Sequence, residues 1–413
     1  MTCTDAGRRR WRMGALCYAL AFALLFVGAD ALLRREEEYS GTWSRIREGG
    51  GVPQVLIVGN SHAFCSFAPS VLSQALGVDA AVLAASGLNS VGVTDSVEAA
   101  LHMGTPEYLV VEANAYTFDY DSTAQSHKAT ALSHINGMPR LRDRVVSAFR
   151  QFGYEAVPAG AFQLLRSDLM WKRWKGGEPI MAADGSSLLN WYATGTYDAR
   201  AKQAEARAFA QSAVPGDGAD PRNDRELRCL FSLAQAHGVK VVIVKAPTKA
   251  QTQLGSDLLA HLEAIGRSYG ATFLGLHDFH QDVAEIGLAV TDFYDYSHLN
   301  RSGAAKLTAY AAEWLAERMG RPAALDDVFA YGGERAEALD GGLWRYEAEA
   351  LGEGVEYRFF LDGEPLGDWS DQSSAVLALE SAQATRLSAS LRRDGEEISF
   401  CFMTPNTCVF QPN

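Results

Sequence analysis

The chain has 413 residues, of which 47% are hydrophobic and 21% charged, and its 37 Lys+Arg against 50 Asp+Glu leave a net charge of −13. This composition excludes a disordered or fibrous protein, and the length suffices for two or three domains of about 150 residues with cores of their own. The acidic balance, with no basic stripe beyond the first residues, excludes a phosphate-binding surface and so argues against nucleic acid as partner.

Arg8, Arg9, Arg10 and Arg12 stand before an uncharged run over residues 13–29, and apolar character continues past Asp30 to Leu33. A helix over 13–33 rises about 31 Å, the thickness of a bilayer's hydrocarbon layer. The positive-inside rule then predicts a cytoplasmic segment 1–12, a signal anchor over 13–33 and an extracytoplasmic remainder, a single-pass protein of the cell membrane. Ala29-Asp30-Ala31 also reads as a signal-peptidase site, and Arg8-Arg9-Arg10 as a fragment of a twin-arginine signal. Residues 34–52 read as a charged juxtamembrane helix ending in the flexible joint Gly49-Gly50-Gly51.

Five short apolar runs follow, at 54–58, 80–83, 108–112, 239–244 and 272–276, the pattern of strands buried on both faces of a parallel sheet. Helical patterns lie between and after them at 68–76, 90–103, 224–237, 256–269 and 302–319, so residues 53–322 form an α/β domain. Residues 121–222 are an insertion of mixed character that carries Trp171, Trp174, Trp191 and Tyr192. Its run Met170 to Lys175 fits a glycan groove, a membrane surface or plain helix packing.

After Pro322 the pattern becomes short alternating strands, among them 355–361, 375–379 and 397–402, separated by Asp-Gly and Pro turns. This predicts a β-rich, sandwich-like module over 323–413. Cys401 and Cys408 flank a Pro-Asn turn, where a disulfide would add roughly 2–3 kcal/mol; two unpaired buried thiols are the alternative. Cys65 and Cys229 read as isolated.

Chemistry gathers at the end of the first strand, in Gly59-Asn60-Ser61-His62. Ligands of open α/β sheets bind beyond the carboxyl ends of the strands, which is where Ser61 stands, and Gly59 permits the tight turn that presents it. A serine in this position is either a nucleophile or a helix cap. Near the end of the domain, Asp292-Phe-Tyr-Asp295-Tyr-Ser-His298 precedes a long helix. A carboxylate three residues before a histidine can hold its Nδ1 proton and leave Nε2 to take the proton of a serine, giving the chain order Ser61, Asp295, His298. The elbow G-x-S-x-G is missing, because residue 63 is Ala. His62 reads as a packing or hydrogen-bonding residue. Metal binding by His277-Asp278-Phe-His280-Gln-Asp282 lacks converging ligands, so neither metal nor cofactor is expected.

Gly59-Asn60-Ser61 and Asp295-x-x-His298 resemble the first and last blocks of the SGNH/GDSL hydrolase superfamily. The resemblance implies a flavodoxin-like parallel five-stranded sheet with flanking helices, and Ser61, Asp295 and His298 as catalytic triad. It also implies an oxyanion hole of the Ser61 and Gly87 N–H groups with Asn114. The third block departs from the family's G-x-N-D, since Glu112 and Ala115 flank Asn114, and a loop-turn asparagine is the alternative there. Glu112 either lies near the site, in contact with His62, or ends its strand. With its anchor, the chain is also similar to DltD-like and alginate-acetylation-like exported proteins. That likeness implies an O-acyl, expected O-acetyl, esterase or transferase acting on a cell-envelope polysaccharide, with a membrane-bound O-acyltransferase as a possible partner. A noncatalytic anchored accessory protein, binding such an acyltransferase or the polymer, is the competing reading.

Overall fold

The computed structural model describes residues 5–34, 41–117, 127–166, 220–247, 254–274, 284–288, 292–293, 298–361, 363–378 and 387–399. Helix α1 (Asp5–Arg34) contains one stretch, Trp11–Leu32, long and apolar enough to cross a membrane. From Gly41 on, the segment read as a flexible joint is less free than its composition suggests. Gly41–Arg45 (α2) and the wide turn Ile46–Gly50 follow α1, and Trp43 and Ile46 are buried in the main core while Arg45 pairs with Asp79. An indole repays burial in a way that charge-based reading of a linker misses.

Strands β1 (Val55–Gly59), β2 (Ala80–Ala84), β3 (Tyr108–Glu112), β4 (Lys240–Val244) and β5 (Thr272–Leu274) form one all-parallel sheet of order β2-β1-β3-β4-β5. The first three are buried at every residue, as continuous apolar runs require when both faces are covered. Helices α3 (Ser61–Ser66), α4 (Pro69–Leu76) and α5 (Ser90–Leu101) come from the first two crossovers. Helix α4 starts with Pro69 in its first turn and stops at Gly77, whose φ of +61° suits glycine.

The sequence between β3 and β4, read as mixed, contains three helices among its described residues: α6 (Lys128–Gly137), α7 (Leu141–Phe152) and α8 (Val157–Ala161). Trp171, Trp174, Trp191 and Tyr192 lie outside the described residues. Helices α9 (Pro221–Ala236), α10 (Leu254–Ser268) and α11 (Arg301–Met319) complete the domain. One face of the sheet, with Ile57, Val110 and Val242, packs on Leu72 of α4 and Trp314 and Leu315 of α11 around a small apolar void. Ile243 points to the other face, toward Gly266 of α10.

The C-terminal region holds two antiparallel sheets. One is ordered β10-β7-β6, from β6 (Ala330–Ala338), β7 (Leu343–Leu351) and β10 (Ser374–Ala378). The other is ordered β12-β11-β8-β9, from β8 (Glu356–Leu361), β9 (Glu364–Pro365), β11 (Leu387–Arg393) and β12 (Glu396–Ser399). Tyr346, Ala348 and Leu377 of the first share a core with Phe359 and Ala389 of the second. The backbone of Phe329 bonds the side chain of Gln74 on α4, which ties this region to the α/β domain. Cys401 and Cys408 lie outside the described residues, while Cys65 is buried and Cys229 exposed.

His134 on α6 is fully buried, its Nε2 2.8 Å from Ser96 Oγ, and burial pushes its imidazole down to about 3. Because the folded value lies below the unfolded one, stability is complete above about pH 6.5 and is lost as pH falls toward 3, by about 1.4 kcal/mol per unit. Urea unfolding at pH 7 and pH 5 should therefore show about 2 kcal/mol more loss in the wild type than in His134→Gln. Equal losses in the two proteins would show that this histidine accepts a proton in the native state.

Candidate functional site

In the order β2-β1-β3-β4 the connection from β1 runs to one side and that from β3 to the other, so the crevice beyond the carboxyl ends of β1 and β3 is the switch point where doubly wound sheets bind ligands. Ser61 follows β1 there as the first residue of α3 and is half-buried. The turn is held by Asn60, whose Oδ1 accepts the His62 N–H at 3.1 Å. Gly59 is required by crowding: a Cβ would come within 2.8 Å of Ala63 Cβ and 3.1 Å of Glu112 Cβ.

His298 arrives from the far end of the domain. Its Nε2 lies 2.8 Å from Ser61 Oγ, hydrogen-bond distance between residues 237 apart in sequence. The histidine stands in a loop closed by a bridge between Phe293 and Leu299 and by the Asn300 N–H donating to the Asp292 carbonyl at 3.0 Å. Asn300 then caps α11 by accepting from the Gly303 N–H. Asp292 is buried and engaged at the loop's base, accepting from Ser302 Oγ and pairing with Lys306 Nζ at 3.2 Å; Lys306 also reaches Glu349 on β7. Asp295 lies outside the described residues, as do His277, Asp278, His280 and Asp282.

Of the residues expected to hold an oxyanion, Asn114 sits in the short turn after β3, and its Nδ2 is 3.4 Å from Asn60 Oδ1, next to the serine. Gly87 lies on the loop after β2 with φ +64°, and the ring of His127 occupies the space a Cβ would need. His62 is buried, and its ring centre lies 4.8 Å from that of His298. Burial, helped by Lys245 and His298, holds the His62 imidazole well below its ordinary range, so it is neutral at physiological pH and cannot lend a positive charge to the site.

Glu112 does end its strand, but its carboxylate is fully buried and organises the floor of the site. It accepts the Asn114 N–H at 3.0 Å and the Ala246 N–H at 3.2 Å, and Lys245 Nζ lies 3.8 Å away. Burial raises the Glu112 pKa and lowers that of Lys245; their mutual attraction opposes both shifts, and the two backbone N–H donors further oppose that of Glu112. Reading the sequence missed Lys245. The signal was present: Glu112 is in register with Val244, so a lysine directly after the apolar run of β4 falls beside a glutamate closing β3. Compared with known proteins, the chain matches no family model and no curated protein.

Proposed function

We propose that the protein is an SGNH-type serine O-acyl esterase or transferase, anchored by α1 with its catalytic domain outside the cytoplasm, and acting on acyl esters of a cell-envelope polysaccharide. The contact between His298 Nε2 and Ser61 Oγ carries this reading. A noncatalytic accessory protein has no need of an imidazole and a serine hydroxyl 2.8 Å apart at the ligand-binding edge of the sheet.

In the proposed reaction Ser61 Oγ attacks the acyl carbonyl as its proton passes to His298 Nε2. The tetrahedral intermediate collapses, and the leaving sugar oxygen takes that proton, which leaves an acyl-serine. Water, or a hydroxyl of an acceptor sugar, then attacks, giving its proton to Nε2, which returns it to Ser61 as the acyl group departs. Asp295 accepts from Nδ1 and fixes the tautomer. The N–H groups of Ser61 and Gly87 and the Asn114 amide stabilise the oxyanion, where one such donor is typically worth about 3–4 kcal/mol. The proximity of the Asn114 amide to Asn60 keeps it beside the nucleophile.

Treatment of the full chain with a fluorophosphonate, followed by peptide mass spectrometry, tests the reading. One adduct is expected, on Ser61, and it should be absent from His298→Ala. Labelling elsewhere, or none alongside no ester turnover, would return the protein to the accessory class.

A further inference from the structure

Helix α7 turns a polar stripe inward. Arg144, Ser147, Ala148 and Gln151 are buried, whereas Val146 and Phe149 on the opposite face are 41% and 57% exposed, and Leu141 at the start of the helix is 46% exposed. This stripe is bonded within the domain: Arg144 Nη1 donates to the Met138 carbonyl at 3.2 Å, and Gln151 Nε2 to Ser147 Oγ at 2.9 Å. Outside α1, ten large apolar side chains are exposed among the described residues, and six of them fall within 141–165, the others being Tyr154, Leu164 and Leu165. Such concentration is unlike the scattered exposure of an ordinary soluble surface and marks a contact face.

The anchor helix fixes what that face meets. Asp30, near the end of the apolar span, is 1% exposed because the domain covers it, and its Oδ1 accepts the Leu164 N–H at 3.1 Å. Four residues deeper, Phe26 packs edge-on against Phe162, with ring centres 5.3 Å apart. Phe26 lies six residues inside Leu32, the end of the span, which is about 9 Å along a helix axis. If Trp11–Leu32 crosses the hydrocarbon layer, residues 162–165 are drawn below its edge. Helix α7 adjoins this turn, since Gly160 packs directly on Ala148.

We propose that α7 and the 162–165 turn are embedded in the lipid leaflet on the domain's side, so that the catalytic domain is seated on the bilayer and not tethered at a distance from it. An amphipathic helix lying in the membrane plane needs an apolar face directed at lipid; Val146 and Phe149 supply it on α7, and Leu164 and Leu165 extend it on the adjoining turn. Arg142, also exposed, lies between Val146 and Phe149 on the helical wheel; its long stem lets the guanidinium reach the headgroups from an immersed face. The inference rests on α1 crossing the bilayer and is independent of the reaction assigned to Ser61.

The test uses the full chain in vesicles of phosphatidylethanolamine and phosphatidylglycerol containing a phospholipid with a diazirine on its acyl chain. Irradiation and peptide mass spectrometry should find lipid adducts on α1 and also within 141–165. In the double variant Val146→Glu with Phe149→Glu, adducts over 141–152 should fall roughly tenfold, because two side chains that favour the leaflet are replaced by charges, while those on α1 persist. The midpoint of thermal unfolding in detergent should move by no more than about 2 °C, since neither side chain belongs to the core. Wild-type adducts confined to α1 would overturn the proposal. So would a large fall in the variant's midpoint, which would mean that protein covers this face. Absence of adducts on α1 as well would remove the anchor itself, a failure distinguishable from the other two.

Discussion

Ser61→Ala should lower turnover of an activated acetyl ester by roughly 10⁴–10⁶-fold while leaving the thermal midpoint nearly unchanged. Ser61 Oγ bonds His298 and is half-buried at the first position of a short helix, where alanine fits without a cavity or an orphaned backbone group. His298→Ala should fall to a similar floor, and the double variant should be scarcely worse, because a nucleophile and its base act as one unit. Asp295→Asn should keep the fold and lose much of the rate through the wrong tautomer. His62→Phe separates the two histidines. His62 is buried and held neutral by its surroundings, so its replacement should disturb the packing of His298 and cost far less than loss of His298. Additive losses in the double variant, or a His62 variant as inactive as His298→Ala, would break the assignment of His298 as base.

Much of this arrangement is legible in the sequence because its parts obey local rules. A parallel strand buried on both faces has to be a continuous apolar run, and 54–58, 80–83 and 108–112 are such runs, so the carboxyl edge of the sheet could be located before any coordinates. With the edge known, Ser61 falls on it directly after β1, while Asn114 is singled out only by the resemblance to the family's third block. The pairing of Ser61 with His298 needed a motif at each end of the domain, and the motif near residue 298 supplied the second. What escaped depends on contacts that leave no local trace. Trp43 sits in a segment whose charges and glycines read as a linker, yet it joins the main core and its indole packs on Gly137, where a Cβ would come within 2.5 Å of it. Helix α7 escaped for a different reason. Its amphipathic period is visible in sequence, but the period does not say how far round the helix the domain reaches, and here it covers Ala148 and leaves Val146 and Phe149 exposed. The role of Glu112 was open between a strand end and a neighbour of His62; the buried lysine one strand away decides it.

Lys245→Met should destabilise the protein by about 3–5 kcal/mol, the loss expected when one partner of a buried ion pair is removed. At 3.8 Å and an effective dielectric near 20 the pair attracts by about 4 kcal/mol, which only roughly offsets the several kcal/mol each charge loses on leaving water. The balance is tipped by neighbours. Glu112 accepts two backbone N–H groups and Lys245 donates to the Ala246 carbonyl at 3.1 Å, so both charged forms are solvated by fixed dipoles. Without the ammonium, Glu112 either remains charged and unpaired or takes a proton and yields part of its hold on the Asn114 and Ala246 N–H groups. In both cases the turn carrying Asn114 loosens, and ester turnover should fall together with stability. Glu112→Gln with Lys245→Met removes both charges and keeps an amide oxygen for one N–H, so the double variant should recover more than half of the lost stability. Urea unfolding of the four proteins gives the coupling free energy directly, and a value near zero would mean that the pair does not hold its charges in the native state. Recovery of stability without recovery of turnover would instead show that the lysine's charge, and not only the shape of the turn, is felt at Ser61.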